Sequence, residues 1–169
     1  RDGYTIYQGI LETDEEDFGY VHRAYTEINP LTGLYYNKVF FQMLGERLQS
    51  IEPDTYVLIA VDIEHFRLFN RFFGREAGDQ ILITVAERLK EIQQKYAGLA
   101  GYLGGDNFCI LMPDDEDLIH DLQKSIIKVI NNWSGSVGFL PGFGIYRING
   151  TEESAMGIYD RATLALSYV

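Results

Sequence analysis

Cysteine is nearly absent: the 169 residues hold one, Cys109, which can close no disulfide within the chain and suits a core position in a reducing compartment. No apolar run is long enough to cross a bilayer, so no membrane contact is expected of this segment. The first residues show no secretory leader pattern, and a cytoplasmic location follows as the expectation. Basic residues are few, 14 Lys and Arg against 25 Asp and Glu, a net charge of −11. Such a balance argues against a nucleic acid polymer as partner. Internal repeats and low-complexity stretches are also missing. The length fits one domain with a sizeable core, and an acidic domain can still bind a nucleotide through a metal ion and backbone amides.

Two acidic strand ends stand out. In Leu103-Gly104-Gly105-Asp106-Asn107-Phe108 the apolar alternation before (Leu99, Gly101, Leu103) and after (Phe108, Ile110, Met112) reads as two strands. The paired glycines can take the positive φ of a tight hairpin turn, which holds a carboxylate at a rigid tip. Upstream, Val57-Leu58-Ile59-Ala60-Val61-Asp62-Ile63-Glu64 lacks polar alternation and is expected to be a central strand covered on both faces. Asp62 sits where that strand leaves the core. Carboxylates on adjacent strand ends suit Mg²⁺, a hard cation that is usually completed by water and substrate phosphates. An Asp in such a place also commonly serves as a helix N-cap.

The remaining chain supplies the frame. Residues 4–11 read as a strand, and Thr13 with Glu16 forms a capping-box start for a helix to about Ile28. Its stripe Phe18, Val21, Tyr25 and Ile28 is either a homodimer seam or a face packed on its own domain. Pro30 and Gly33 break the chain before an amphipathic helix over 36–48, and a strand over 55–63 follows. From Glu64 the apolar period becomes helical, with Phe66, Phe69, Phe72 and Phe73 as buried candidates and Gly74 as the stop. Further helices are predicted over 75–95 and 116–131. Residues 136–148 hold strand material interrupted at Pro141-Gly142, and a last helix is expected over 152–168, capped by Thr151. The order is that of an α+β sandwich with a mostly antiparallel sheet, ferredoxin-like or palm-like. The turn after Ile63 opens a helix, so the amides of His65 and Phe66 are placed to hold phosphate oxygens.

Gly104-Gly105-Asp106-Asn107-Phe108 resembles the signature of the GGDEF family, the diguanylate cyclases of bacterial cyclic di-GMP signalling, with Asn for Glu at the fourth position. Asn29-Pro30-Leu31-Thr32-Gly33-Leu34 resembles the family's opening Asp-Pro-Leu-Thr-Gly-Leu. Asp62-Ile63-Glu64-His65-Phe66-Arg67 resembles its Asp-Ile-Asp-x-Phe-Lys, and Asn70, Gly74, Gly78-Asp79 and Leu82 continue that block at the family's spacing. The resemblance implies a fold like nucleotidyl-cyclase and polymerase palms. It implies Asp62, the Ile63 carbonyl and Asp106 as metal ligands, and Asn70 with Asp79 as the guanine-recognising pair. Arg67 stands where the family usually has Lys. Residues 29–169 would form the GGDEF domain, and residues 1–28 resemble the end of an upstream PAS sensor with its linker helix.

Departures from the family pattern bear on activity. Asn107 replaces a Glu on which active members depend, and an amide neither binds metal as an anion nor accepts a proton. Arg71 and Arg75 stand for Asp and His, Glu64 for Asp, and Tyr102 for the Arg before the first Gly. Lys95 and Gly98 occupy the two positions of the family's inhibitory Arg-x-x-Asp. The expectation is a degenerate GGDEF domain that binds GTP with Mg²⁺, turns it over poorly or not at all, and couples a sensor to an output such as a downstream EAL phosphodiesterase domain. An active diguanylate cyclase that tolerates Asn107, and an interaction or dimerisation module with a vestigial pocket blocked by Arg71 or Arg75, are the alternatives.

Overall fold

The computed structural model describes residues 27–133, 138–151 and 154–169. The strand expected over 4–11, the bulk of the helix that follows it and the proposed dimer seam lie outside these residues, apart from Ile28, which forms an isolated bridge with Tyr35.

Strand β2 (Tyr56–Ile63) is the middle of the molecule because its aliphatic run offers two apolar faces at once. It pairs antiparallel with β4 (Asn107–Pro113) on one side and β5 (Pro141–Arg147) on the other. With β1 (Tyr35–Tyr36), β3 (Leu99–Gly104) and β6 (Ser167–Tyr168) the six-stranded order is β1-β3-β4-β2-β5-β6. Among the described strands only β1 and β3 run parallel. Val57, Ile59, Val61 and Ile63 point to one layer, built by α2 (Phe66–Phe73), α3 (Arg75–Lys95) and α4 (Glu116–Asn131). Leu58 points to the other, where Phe40 and Leu44 of α1 (Asn37–Leu48) meet Ile158 of α5 (Ala155–Leu164). Asp62 shares the parity of Leu58 and so leaves the sheet on the α1/α5 face.

Local chemistry fixes the joints. Buried Asn29 accepts bonds from the Thr32 amide (2.8 Å) and hydroxyl (3.0 Å) through Oδ1, while its own N–H donates to the Leu34 carbonyl (2.8 Å). The Asn-Pro-Leu-Thr-Gly-Leu block is therefore a closed turn that drives Leu34 into the core. Helix α4 is capped by Asp115, which accepts from the Leu118 amide at 3.0 Å. Gly144 lies so close to the Ala162 carbonyl that a Cβ there would overlap it, which lets α5 dock on β5. Cys109 is fully buried, and burial pushes its thiol far up, leaving it an inert core residue.

Four details differ from the sequence expectations. Pro141 opens β5 instead of interrupting it, since at a strand start its missing N–H costs little. The last helix begins at Ala155 under a Ser154 cap, whose hydroxyl accepts from the Gly157 amide at 3.0 Å, while Thr151 is held by Asn149 Oδ1. That helix ends at Leu164, because the outer edge of β5 has unpaired backbone groups that Ser167 and Tyr168 satisfy as β6. Of the four phenylalanines, Phe66 and Phe69 are buried and Phe73 half-buried, but Phe72 is 68% exposed on the outer side of α2.

Candidate functional site

The β3–β4 hairpin forms as its glycines allow: Gly104 and Gly105 both take positive φ, 104° and 57°. A register shift between Tyr102 and Gly104 sharpens the bend. Tyr102 OH donates to the Gly105 carbonyl at 2.7 Å, its ring packed 5.2 Å from that of Phe108, and Asn107 Nδ2 donates to the Gly104 carbonyl at 3.4 Å. Asn107 thus closes the turn through its amide, a bond that a carboxylate could not donate.

Asp106, at the tip, turns back to β2. Its Oδ2 accepts the Ile63 N–H at 2.9 Å, on the β4 side of the strand, whereas the Glu64 N–H goes the other way, to the Leu140 carbonyl at 2.8 Å. Within a strand the N–H and C=O of one residue face the same side, so the Ile63 carbonyl is also directed toward the hairpin. Asp62, one residue earlier, is near enough to feel Asp106. Its carboxyl is held above the ordinary value, first by burial and then by the negative charges of Asp106 and Glu64, with the Tyr168 hydroxyl acting in the opposite sense. Tyr168 OH donates to Asp62 Oδ2 at 3.2 Å, and Asp62 Oδ1 is buried without a hydrogen-bond partner. Among the described residues no basic side chain pairs with Asp62 or Asp106, and no group of three His, Cys, Asp or Glu side chains forms a self-sufficient metal cage.

The second half of the site lies where α2 meets α3. Gly74, at φ 90°, separates the two helices, and Asn70 packs its Oδ1 onto Gly78, where a Cβ would collide with it. That oxygen is buried and has no donor. Asp79 is half-buried next to Gly78 and acts on Tyr102, whose hydroxyl is pushed up by burial and by Asp106, Asp79 and Tyr36 in that order. Tyr102 thus feels the charge of both the hairpin acid and the α3 acid.

Of the residues singled out in the sequence, Asp62, Ile63, Asp106 and Asn107 come together at the hairpin, while Asn70 packs against Gly78, the neighbour of Asp79, where the two helices meet. Phe66 is buried and offers only its backbone. His65 adopts the left-handed conformation (φ 59°) that starts α2 with no side-chain cap, and its ring lies 3.7 Å from Glu64. Arg67, Arg71 and Arg75 are exposed. Sequence reasoning missed Tyr168 and Gly142, because both were assigned to the wrong kind of segment.

The "Diguanylate cyclase, GGDEF domain" family pattern matches residues 26–165. The probable diguanylate cyclase DgcJ of Escherichia coli is 29% identical over 130 residues, 74% of this chain and 26% of the relative. Diguanylate cyclase DgcP of the same organism is 32% identical over 124 residues, 72% of this chain and 36% of the relative. The chain thus spans about a quarter to a third of the length of these relatives. Among solved structures, the coiled coil and GGDEF domain of DgcB from Caulobacter crescentus, in complex with c-di-GMP, superposes with a TM-score of 0.73 at 22% identity, covering 96% of this chain and 89% of that one. That likeness carries the fold. Since the family match runs from before the Asn29 turn, through the acidic strand end and the glycine hairpin, into α5, this chain belongs to the GGDEF domain family.

Proposed function

We propose that this domain works in cyclic di-GMP signalling as a GTP-binding regulatory module whose cyclase turnover is weak or lost. The observation that carries the reading is the pairing of intact acids with an altered neighbour. Asp106 is pinned to the amide of Ile63, the residue after Asp62, while the next residue, Asn107, is an amide engaged with its own turn.

A divalent cation fits the residues present. Asp62 keeps a buried oxygen without a donor, its carboxylate is repelled by that of Asp106, and with the Ile63 carbonyl the two would make the hard, all-oxygen set that Mg²⁺ prefers. Asp62, Asp106 and the Ile63 carbonyl would hold it, with water and phosphate oxygens completing the shell. Bound there, Mg²⁺ would neutralise phosphate charge and favour ionisation of an attacking hydroxyl. The start of α2 has no side-chain cap, and the amides of His65 and Phe66 would donate to triphosphate oxygens at its positive end. Asp79 would accept the N1 and N2 donors of guanine, and Asn70 would turn off Gly78 to pair with the base edge. Joining two GTP into cyclic di-GMP with release of two pyrophosphates needs, in addition, stabilisation of charge at the reacting phosphate. Asn107 supplies no carboxylate for that task, which accounts for impaired turnover.

Calorimetry with GTP, with and without Mg²⁺, tests the binding. Metal-dependent heat at micromolar to millimolar nucleotide is expected, and silence at millimolar GTP with Mg²⁺ would remove the nucleotide-binding reading. An output domain such as an EAL phosphodiesterase, and a homodimer through the N-terminal helix, complete the proposed signalling role. The vestigial module, with its pocket blocked by Arg71 or Arg75, is the other reading; both arginines are exposed, and no GTP binding in the calorimetry would favour it.

A further inference from the structure

Asp62, Gly142 and Tyr168 form one row across three strands: Asp62 is paired with Gly142 on β5, and Gly142 with Tyr168 on β6. A glycine in the middle position is what lets the outer two meet. A Cβ on Gly142 would lie 2.5 Å from Asp62 Oδ1 and 2.7 Å from Tyr168 Cε1, so the tyrosine ring crosses β5 through the space of the missing side chain and its hydroxyl reaches Asp62 Oδ2. Leu166 closes the same space, its Cδ2 lying 2.7 Å from that Cβ position. The segment is held down by the β5–β6 pairing and by the Val169 N–H, which donates to the Pro141 carbonyl at 3.0 Å.

Direction matters in this row. Gly142 and Tyr168 lie on the β5 side of β2, whereas Asp106 and the N–H of Ile63 meet on the β4 side. One oxygen of Asp62 is sealed against Gly142 without a donor and the other is taken by Tyr168, so the carboxylate is turned away from the acid with which it would share a cation. We propose that Tyr168 is a positioning residue that latches Asp62 toward β5, and that a divalent cation binds only when Asp62 swings back toward Asp106. The inference rests on the reading of Asp62 and Asp106 as cation ligands. It adds that the closing strand β6 sets the affinity of that site.

The experiment is Mn²⁺ binding to the whole 169-residue chain, followed by the electron paramagnetic resonance signal of the free ion, for wild type, Tyr168→Phe, Asp62→Asn and the double variant. Phenylalanine keeps the ring and the strand pairing and removes only the hydroxyl, and thermal melting confirms that β6 stays in place. Tyr168→Phe is expected to tighten Mn²⁺ binding roughly tenfold, which corresponds to about 1.4 kcal/mol. In the Asp62→Asn background the same change is expected to have no effect, because the amide still accepts from the hydroxyl but no longer supplies an anionic ligand that its release could hand to the cation. Unchanged or weaker binding by Tyr168→Phe, with wild-type binding still dependent on Asp62, overturns the latch and leaves the metal site standing. Binding that is indifferent to Asp62→Asn, or absent from wild type and Tyr168→Phe alike, overturns the metal site itself and the latch with it.

Discussion

Asp106 Oδ2 accepts the backbone N–H of Ile63 at 2.9 Å, and this single bond fastens the hairpin tip to the strand residue that follows Asp62. It gives the site its geometry before any ligand arrives, and it separates the structural role of Asp106 from its charge.

Asp106→Asn keeps an oxygen that can accept from Ile63 and removes the anion. The variant should unfold in urea close to wild type while losing Mn²⁺ affinity. Asp106→Ala removes the acceptor as well and leaves a part-buried N–H unpaired, at a cost of about 1–3 kcal/mol. Equal stabilities for the two variants would show that the bond contributes nothing to the fold.

Asn107→Glu restores a carboxylate beside Asp106 and gives up only the long 3.4 Å bond to Gly104. Replacing a missing charge-stabilising group is worth roughly 10²–10³-fold in rate. Incubation of both proteins with GTP and Mg²⁺, and quantification of cyclic di-GMP, checks this; no gain in the variant would place the defect elsewhere than residue 107.

Stability of the cation-free protein should depend on pH through Asp62. Burial and the charges of Asp106 and Glu64 raise its folded-state value above the ordinary 3.8. The folded state then holds its proton longer than the unfolded state. The contribution of this group is fully present in acid and is lost as pH rises through the raised folded value. Asp62→Asn should therefore melt above wild type at neutral pH, with the gap closing in acid, and saturating Mg²⁺ should narrow it by stabilising the wild type alone. A gap that widens in acid would contradict the environment described for Asp62.

Phe69 is fully buried, with ring centroids 4.6 Å from Phe73, 5.3 Å from Phe139 and 5.8 Å from Trp133. Phe69→Ala should cost about 3–5 kcal/mol and shift the fluorescence of Trp133, the only tryptophan in the chain. Phe72→Ala, on the exposed side of the same helix, should stay within about 0.5 kcal/mol of wild type. Chemical denaturation monitored at Trp133 measures both.

The local chain dictated a great deal here. A short aliphatic run rich in β-branched residues reads as a strand covered on both faces, paired glycines permit the positive φ of a tight bend, and a 3.6-residue apolar period marks α3 and α4 residue for residue. Those features place Asp62 and Asp106 at neighbouring ends of a sheet, and the motif order names the family. The tail of the chain was beyond such reasoning. Residues 165–168 read equally well as the end of a helix, and what makes Ser167 and Tyr168 a strand is the open edge of β5, a partner some 25 positions away whose availability no local pattern reveals. Phe72 likewise kept its apolar character in sequence and lost its burial only because α3, Trp133 and Phe139 cover the other side of α2. Pairing across a sheet and the choice of buried face depend on distant surfaces being in place, and so the tyrosine on Asp62 belongs to the tertiary structure alone.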